Sequence, residues 1–543
     1  MDLTDPQGVV VAGSPETAAA GIEMLCRGGN AVDAAVAAAF ATFVAESTIS
    51  HTGGSGFALV YQPGAEPLLY DFFSVMPGLG GNGTIDRERL DFREAFLEYA
   101  ATVDAYHIGR GSAAVPGNVA GLCALAEDYG QLSLSALLAP AIRLAREGVL
   151  VSSSQASMGA LIKPIITATP AIARLFSPNG HLIEAGDRLR NPDLATTLER
   201  LAVEGPALFY SGDVATAIVA DQVAHGGLVT ADDLAHYHIL RRSPLRLSYR
   251  GVTILTNPPP SSGGALIAFS LRLLEGFQVG RLAHGSATHL ALLTEVMRAT
   301  NRARAARDPA QLVAPADLDD FMSEAHVTPY RQQVVDALSS GRPEEDLLGE
   351  TRTRGSTTHI SVIDGRGMAV GLTTTPGESA GFLVGATGVI LNNLLGEADL
   401  HPRGFHALPP GAHLSSMMAP TVLLDGGHPR AVLGSGGSNR LRTAILQTIS
   451  NLVDFGLSVT EAVNRPRMHF EGRMIELEGG FDPVAADGLE RAGYRVNRWP
   501  GKNMFFGGVH TAVVEDGGLG GTGDPRRGGA VEVLSSDVPQ AVQ

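Results

Sequence analysis

Hydrophobic and polar residues along the chain alternate between helix-like and strand-like patterns. Residues 16–47 predict two helices separated by Gly28 and Gly29, and the second is rich enough in alanine and valine to be buried against a sheet. Between residues 52 and 64 a glycine loop leads into a predicted strand. Further helices are predicted over residues 118–130, 133–148, 265–277 and 288–309.

The last third of the chain is strand-rich. Its β-prone runs occupy residues 357–364, 368–375, 388–393, 419–425 and 430–435, and helices are predicted within 438–456 and 458–466. The polar stretch 345–356, which comes before the first of these strands, indicates an exposed connection. Alternating helices and strands without an internal repeat predict an α/β protein with an antiparallel core late in the chain.

Two of the strand-like runs flank the turn signal Asp364-Gly365-Arg366-Gly367 and predict a hairpin. A hairpin centred on Arg366 places Thr357 opposite Thr375, so that two hydroxyls meet at one end of the sheet. Thr357 has two interpretations. It can be a β-branched residue that begins a strand, or the chain can be cut before it so that the freed threonine becomes a nucleophile.

A threonine at a new N-terminus needs no histidine, because its own α-amine, with an ordinary pKa of about 8, can accept the hydroxyl proton. Acyl chemistry also needs backbone N–H groups that stabilise an oxyanion. The strand–glycine–helix pattern at Gly434–Gly437 offers such donors, although, taken alone, this pattern favours a simple glycine turn. The Lys-Ser/Thr ending of a phosphate-binding loop is missing there.

Two other patterns are weaker candidates. Residues 377–381 match Gly-x-Ser-x-Gly around Ser379, but a nucleophile elbow needs a helix directly after it, and here a glycine-broken, strand-like run follows. His401, His406 and His413 lie on a Pro/Gly-rich stretch without helical metal spacing, which predicts a solvated loop. We therefore expect no metal and no cofactor.

Composition narrows the classes of function. The net charge of −16 argues against nucleic acid or an acidic membrane as a partner. Cys26 and Cys123 are the only cysteines, so neither a disulfide framework nor a cysteine metal site is expected. The acidic N-terminus does not look like a signal peptide, and no apolar run is long enough to span a bilayer. We expect a cytoplasmic protein that acts on a small molecule.

A set of short motifs resembles the γ-glutamyltransferase family of self-cleaving N-terminal-nucleophile hydrolases. In that family's order the chain has GGNAVDAAVA, AAVPGNVAGL, PPPSSGG, STTHISVID, GVILNN, LSSMMAPTV and GSGGSNR. Each motif is weak alone, but together they span nearly the whole chain. The resemblance implies a four-layer αββα sandwich. It also implies a cut between Ser356 and Thr357, which gives a large subunit 1–356 and a small subunit 357–543, paired as a heterodimer or as a dimer of heterodimers.

The same resemblance implies roles for individual residues. Thr357 is the nucleophile, and Thr375 matches the family's second threonine, which bonds to it. Gly436 and Gly437 match the oxyanion glycines. The substrate-lining serine pair corresponds to Ser415 and Ser416.

The positions that hold the glutamyl group depart from the family pattern. Phe73 stands where the family has the arginine that grips the substrate α-carboxylate, and a phenyl ring cannot form that bidentate pair. Leu394 and Glu397 replace a glutamine and an aspartate. The asparagine expected two residues after Thr375 is either replaced by Gly377 or lost in a short deletion. The resemblance therefore implies intact machinery for acyl attack and a weaker, more apolar grip on a glutamyl substrate.

These departures leave three functions open. The first is an acyl hydrolase with altered specificity, which includes the C–C bond hydrolysis that one branch of the family performs on 4-alkylproline precursors of lincosamides and pyrrolobenzodiazepines. The second is an ordinary γ-glutamyltransferase or glutathione hydrolase. The third is a self-processed but inactive binding protein.

Overall fold

The computed structural model describes residues 7–81, 85–99, 102–312, 314–340, 356–401, 403–515 and 517–535. The polar connection expected before Thr357 falls almost entirely outside these residues. In the described part, the strands are, in chain order, β1 Gly8–Ala12, β2 Ser55–Tyr61, β3 Leu68–Phe72, β4 Arg93–Tyr99, β5 Thr102–Ile108, β6 Val149–Leu150, β7 Arg188–Leu189, β8 Leu240–Arg242, β9 Leu245–Tyr249, β10 Val252–Thr256, β11 Ser356–Asp364, β12 Ala369–Gly377, β13 Thr421–Asp425, β14 His428–Gly436, β15 Met468–Glu471, β16 Met474–Leu477, β17 Val496–Arg498, β18 Gly508–Glu515, β19 Gly518–Thr522 and β20 Ala530–Leu534.

Helices surround these strands. Those of the described residues are α1 Pro15–Cys26, α2 Ala31–Ala45, α3 Asn118–Tyr129, α4 Leu134–Glu147, α5 Ser153–Leu161, α6 Lys163–Ile166, α7 Pro170–Phe176, α8 Pro192–Glu204, α9 Ala207–Tyr210, α10 Asp213–His225, α11 Ala231–Ala235, α12 Ser262–Leu274, α13 Ala287–Ala306, α14 Pro315–Phe321, α15 Glu324–Ser340, α16 Arg440–Val453, α17 Val459–Asn464 and α18 Pro483–Arg491. None of the helices described is both long and apolar enough to cross a membrane.

Two large antiparallel sheets face each other at the centre. The first has the order β20-β1-β11-β12-β2-β3-β8, and the second has the order β19-β18-β14-β13-β10-β9. Strands β11 and β12 of the first sheet contact β14 of the second. Helices α1 and α2 cover the outer face of the first sheet, whereas α12 and α16 cover the second. The expected four-layer αββα sandwich is confirmed.

Helix α2 shows why the outer layers form where they do. Its N-cap Asn30 accepts hydrogen bonds from the backbone N–H groups of Val32 and Asp33, and the Asp33 carboxylate accepts one from the backbone of Asn30. Every residue of the helix is buried, as its alanine-rich composition predicts. The small side chains let the helix lie close to β11 and β12, the strands that carry the candidate site.

One predicted strand is wrong. Residues 388–393 make only isolated bridges, between Leu391 and Gly53 and between Ile390 and Leu383. The side chain of Asn392 donates to the carbonyl oxygens of Gly53 and Ala114 instead, at 2.8 and 3.0 Å. These side-chain bonds compete with a regular strand ladder.

Candidate active site

The hairpin of β11 and β12 places Thr357 at the end of the central sheet. The pair Thr358–Thr374 and the pairs beyond it toward the turn have the predicted register. At Thr357 a bulge interrupts the ladder, because Ser356 pairs with Gly377. The extra residue lies on β12, because Thr375 and Pro376 together stand opposite the single residue Thr357. Thr357 therefore has no regular ladder partner on β12, while Ser356 and Thr358 on either side of it are paired.

Thr375, which we predicted to face Thr357 as a ladder partner, contacts the preceding residue instead. Its hydroxyl donates to the carbonyl oxygen of Ser356 and accepts the backbone N–H of Gly377 at 3.0 Å. The Ser356 carbonyl belongs to the peptide bond that leads into Thr357. A hydrogen-bond donor on this oxygen stabilises the negative charge that develops there when a nucleophile attacks the carbonyl carbon.

A buried carboxyl group holds the other side of Ser356. The Ser356 hydroxyl donates to Oε2 of Glu378 at 2.6 Å, and the backbone N–H of Glu378 donates to Oδ1 of Asn393 at 2.6 Å. Burial raises the pKa of Glu378 to about 8, although the Ser356 hydroxyl and the charges of Arg527 and Arg440 oppose this shift. Glu378 was not predicted from the sequence.

Gly436 packs directly against the backbone of Thr357, and Gly437 follows it at the end of β14. A Cβ atom on Gly436 would lie 2.1 Å from the carbonyl oxygen of Thr357, so only glycine fits this approach. Gly437 has a φ of 123°, which also favours glycine. The pair ends β14 and comes just before α16, which is the strand–glycine–helix context expected for oxyanion donors.

Two arginines bring positive charge to the same place. Nη1 of Arg527 lies 3.5 Å from the carbonyl oxygen of Thr357, and Arg440 begins α16 immediately after the glycine loop. Both guanidinium groups are mostly buried. Arg527 lies 170 residues from Thr357 and belongs to none of the motifs quoted above, so no local signal could have identified it.

Glu397 is deeply buried near Glu378. Its pKa is raised well above the usual range, first by burial and then by the nearby carboxyl groups of Asp399 and Glu378. A Cβ atom on Gly377 would lie 2.5 Å from Oε1 of Glu397 and 2.2 Å from Oδ1 of Asn393, so the glycine lets both groups approach. The structure thus brings Glu397 close to the end of the hairpin.

The predicted serine pair lies beside a cavity. Ser415 lines a cavity of about 90 Å³. The carbonyl oxygen of Ser416 accepts the Ser261 hydroxyl at 2.9 Å and the Ser262 N–H at 2.8 Å. These bonds join the serine pair to the start of α12. Apolar side chains that line the cavity include Pro260, Ala310, Leu400 and Leu408.

Phe73 and Leu394 are core residues in the structure. Phe73 is 1% exposed and stacks on Phe57, with ring centroids 5.2 Å apart and an interplanar angle of 17°. Leu394 is also 1% exposed, and both belong to the apolar core between the sheets. Neither lines the cavity beside Ser415. Their effect on a substrate would therefore be exerted by shaping the wall behind the site.

The weaker candidates gain no support as reactive groups. His401 and His406 are buried, not solvated as expected, because their Nε2 atoms bond to the carbonyl oxygens of Leu394 and Gly111. His413 is partly buried and also lines the Ser415 cavity. In the described residues no group of histidine, cysteine or carboxylate side chains could hold a metal ion. No helix directly follows Ser379.

Comparison with known proteins agrees with this geometry. The family model described as gamma-glutamyltranspeptidase matches residues 17–534. The chain is 32% identical to the acylase ACY 1 proenzyme of Pseudomonas sp. (strain V22), over 99% of this chain and 95% of that protein. It is 31% identical to the glutathione hydrolase proenzyme of Escherichia coli (strain K12), over 96% of this chain and 90% of that one.

A solved structure resembles the whole chain. The cephalosporin acylase from Bacillus halodurans superimposes with a TM-score of 0.82 and 27% sequence identity, covering 97% of this chain and 96% of that one. The fold, the position of Thr357 at the central hairpin and the match over nearly all residues lead to one conclusion. The chain is an enzyme of the gamma-glutamyltranspeptidase family of hydrolases and acyltransferases.

Proposed function

We propose that the protein cuts its own chain between Ser356 and Thr357 and then uses Thr357 as the nucleophile that cleaves acyl compounds. The observation that carries the proposal is the contact between the Thr375 hydroxyl and the carbonyl oxygen of Ser356, directly before Thr357, where the register of the hairpin shifts. That contact prepares this one carbonyl for attack. The names of the relatives, which include the word proenzyme, support the same proposal.

Self-cleavage balances without any added reagent except water. The hydroxyl oxygen of Thr357 attacks the carbonyl carbon of Ser356, the C–N bond breaks, and the nitrogen takes the hydroxyl proton. The resulting ester between Ser356 and the Thr357 side chain is hydrolysed by water. The products are a chain 1–356 that ends in a carboxylate and a chain 357–543 that begins with a free threonine amine.

The mature reaction reuses the same atoms. The freed amine of Thr357 accepts the proton of its own hydroxyl, whose oxygen attacks the substrate carbonyl. Backbone N–H groups at Gly436 and Gly437 are the proposed oxyanion donors. The leaving amine takes the proton, and water or another amine then releases the acyl group from Thr357.

We propose an acyl substrate that is less polar than a γ-glutamyl group. Phe73 supplies no positive charge for an α-carboxylate, and Leu394 offers no side-chain hydrogen bond. The cavity beside Ser415 has apolar side chains that suit an apolar group, and its lining also includes the polar or charged side chains of Asp308, Arg403 and His413. The names of two similar proteins, both called acylases, agree with an N-acyl compound as substrate.

Hydrolysis of a C–C bond is the second candidate. Phe73 and Leu394 lie in the core and leave no charged or hydrogen-bonding group at the two positions where the resemblance places a grip on a zwitterionic substrate, which suits a conjugated keto compound of the kind found among 4-alkylproline precursors. Thr357 would attack the keto carbonyl, the C–C bond would break, and the departing carbanion, stabilised by conjugation, would take the proton. Water would then release the acyl group.

A substrate screen by mass spectrometry tests these alternatives. The panel contains glutathione, a γ-glutamyl anilide, N-acyl anilides and conjugated keto acids, with Thr357→Ala protein as the control. Turnover of N-acyl anilides supports the first proposal, and turnover of keto acids supports the second. Efficient turnover of glutathione would show an ordinary glutathione hydrolase, and cut protein without any turnover would indicate a binding protein.

A further inference from the structure

In the proposed self-cleavage, the attack of the Thr357 hydroxyl on the Ser356 carbonyl takes place before the amine of Thr357 is free to assist it. In the mature enzyme the amine of Thr357 serves as the base, but in the uncut chain the same nitrogen is an amide and accepts no proton. Other side chains must therefore prepare the first cut. In the described residues, Thr375 and Glu378 make hydrogen bonds to Ser356, the residue that supplies the carbonyl.

Glu378 and Thr375 hold Ser356 from two directions. The Thr375 hydroxyl bonds to the carbonyl oxygen, and the Glu378 carboxyl accepts the side-chain hydroxyl at 2.6 Å. Sδ of Met158, at 3.7 Å from the Ser356 hydroxyl, contacts the same atom. Ser356 is completely buried and pairs with Gly377, and the adjacent Thr357 stands opposite the extra residue of β12. The carbonyl that is to be attacked is thus held in place.

We propose that Glu378 is a positioning residue for self-cleavage, because its carboxylate holds the Ser356 hydroxyl and thereby orients the Ser356 carbonyl toward the Thr357 hydroxyl. The inference rests on the proposed self-cleavage and adds a group that this step requires. Glu378 is itself well anchored, since its backbone N–H donates to Asn393 and its side chain is 1% exposed. A rigid acceptor is suited to such a role.

The charge of Glu378 gives the role a measurable signature. Burial favours the neutral form of the carboxyl group, whereas the hydrogen bonds from Ser356 and the charges of Arg527 and Arg440 favour its ionised form. The Glu397 carboxyl nearby has its own pKa raised well above the usual range, first by burial and then by Asp399 and Glu378. The outcome is a pKa of about 8 for Glu378. An ionised carboxylate makes the stronger hydrogen bond to a hydroxyl. The rate of self-cleavage is therefore expected to rise with pH and to level off above about pH 8.

The experiment follows the cut in newly made protein. The full chain is synthesised in a cell-free system with labelled methionine, transferred to buffers between pH 6 and pH 9.5, and sampled over time on a denaturing gel. For the unmodified chain, cleavage is expected to be at least about tenfold slower at pH 6.5 than at pH 9. Glu378→Gln is expected to cut at least about tenfold more slowly at pH 9 and to lose the rise with pH.

Three further variants separate positioning from folding. Glu378→Asp keeps the charge and should recover part of the rate and the dependence on pH. Ser356→Ala removes the other end of the hydrogen bond with little change in volume, and it should also cut slowly with a flat pH profile. Ser379→Ala is the matched control, because its hydroxyl accepts only a local bond from the backbone N–H of Gly381 at 3.2 Å.

Two results would overturn the inference. If Glu378→Gln protein cuts itself at the same rate as the unmodified chain, Glu378 has no part in this step. If it cuts slowly but its rate of cleavage still rises with pH, Glu378 has only a structural role. If Glu378→Gln does not fold, as judged by circular dichroism against Thr357→Ala, the profile of Ser356→Ala decides. A different result would contradict the proposed function: either the unmodified chain is never cut, or the Thr357→Ala chain is cut.

Discussion

The two sides of Thr357 differ in how they are built. On the nucleophile side, defined here by Thr375, Glu378, Gly436 and Gly437, polar groups and backbone converge on Ser356 and Thr357. On the acyl side, defined by Phe73, Leu394, Glu397, Ser415 and Ser416, the first two side chains are packed into the apolar core.

This difference shows which part of such an enzyme can change. The nucleophile side depends on strand register, a bulge and glycines, so most substitutions there break the geometry. The acyl side differs from the family pattern at single side chains, and the sandwich still forms with Phe73 and Leu394 packed into its core. The reaction type is therefore more constrained than the substrate, and the following predictions test the two sides separately.

The largest expected effect is on the nucleophile itself. Thr357→Ala should remain a single chain of 56.5 kDa and lose turnover by roughly 10⁴-fold or more, because the attacking oxygen is gone. Denaturing gels and N-terminal sequencing measure the cut. Thr357→Ser keeps a hydroxyl and should still be processed. A normally cut Thr357→Ala protein would contradict the assignment of the nucleophile.

Gly436→Ala should have the next largest effect. The added Cβ would lie 2.1 Å from the carbonyl oxygen of Thr357 and force the nucleophile or the oxyanion loop to move. Loss of one oxyanion donor typically costs about 10²–10³-fold in kcat, and we expect a loss of that size in cut protein. Gly520→Ala is the control, since its Cβ would meet no atom within 4 Å. Equal rates for both variants would remove Gly436 from the mechanism.

The acyl side is tested by the ratio of two kcat/KM values for the unmodified enzyme. Without an arginine at position 73, a γ-glutamyl anilide loses a charge-assisted bond of roughly 1.5–3 kcal/mol, or about 10- to 100-fold, relative to an N-acyl anilide of similar size. A γ-glutamyl value of about 10⁴ M⁻¹s⁻¹ or more would show that another residue grips the carboxylate.

Replacing Phe73 by arginine sharpens this test. The sequence alone suggests that Phe73→Arg restores γ-glutamyl activity if the packing admits the longer side chain. The structure argues otherwise, because the ring is 1% exposed and stacks on Phe57. A guanidinium there would be buried without a partner, so Phe73→Arg should lower Tm without restoring the activity. Phe73→Leu serves as the apolar control.

Thr375→Ala should have the smallest effect of the set. It removes one neutral hydrogen bond to the Ser356 carbonyl, worth roughly 1 kcal/mol, and should slow self-cleavage about 5- to 10-fold. Time courses in the cell-free system measure this change, and Thr375→Ser, which retains the hydroxyl, should cut at close to the unmodified rate. Identical rates for the alanine and serine variants would show that the hydroxyl has no role.

The sequence predicted the local features of the site and missed those that depend on distant parts of the chain. The hairpin and most of its register follow from the turn at residues 364–367 and the β-prone runs beside it. The bulge in β12 opposite Thr357 does not follow from the sequence pattern, because it depends on the pairing of Ser356 with Gly377. Glu378 lies next to Ser379, in a stretch whose sequence signal is the Gly-x-Ser-x-Gly pattern and gives no indication of a role for the glutamate.

Longer-range contacts show the same limit. Arg527 reaches Thr357 from 170 residues away through its place in the fold. His401 and His406 lie in a stretch with the composition of a loop, yet both are buried, and the carbonyl oxygens of Leu394 and Gly111 accept their ring N–H groups. Gly111 lies 295 residues from His406 in the sequence. The pattern of hydrophobic and polar residues identifies helices, strands and turns, whereas these long-range contacts form only when the sheets pack together.

The strand order of the central sheet affects the lifetime of the molecule. In the order β20-β1-β11-β12-β2, strands β1 and β2 come from the N-terminal product of the proposed cut and β20, β11 and β12 from the C-terminal product. Strands of the two products are therefore interleaved in one hydrogen-bonded sheet. Uncut protein can refold as a single chain, but after the cut the same fold must be regained by the meeting of two chains, which depends on concentration. Folding would then be completed once, before the cut. The cut enzyme would persist through a slow rate of unfolding and not through repeated refolding.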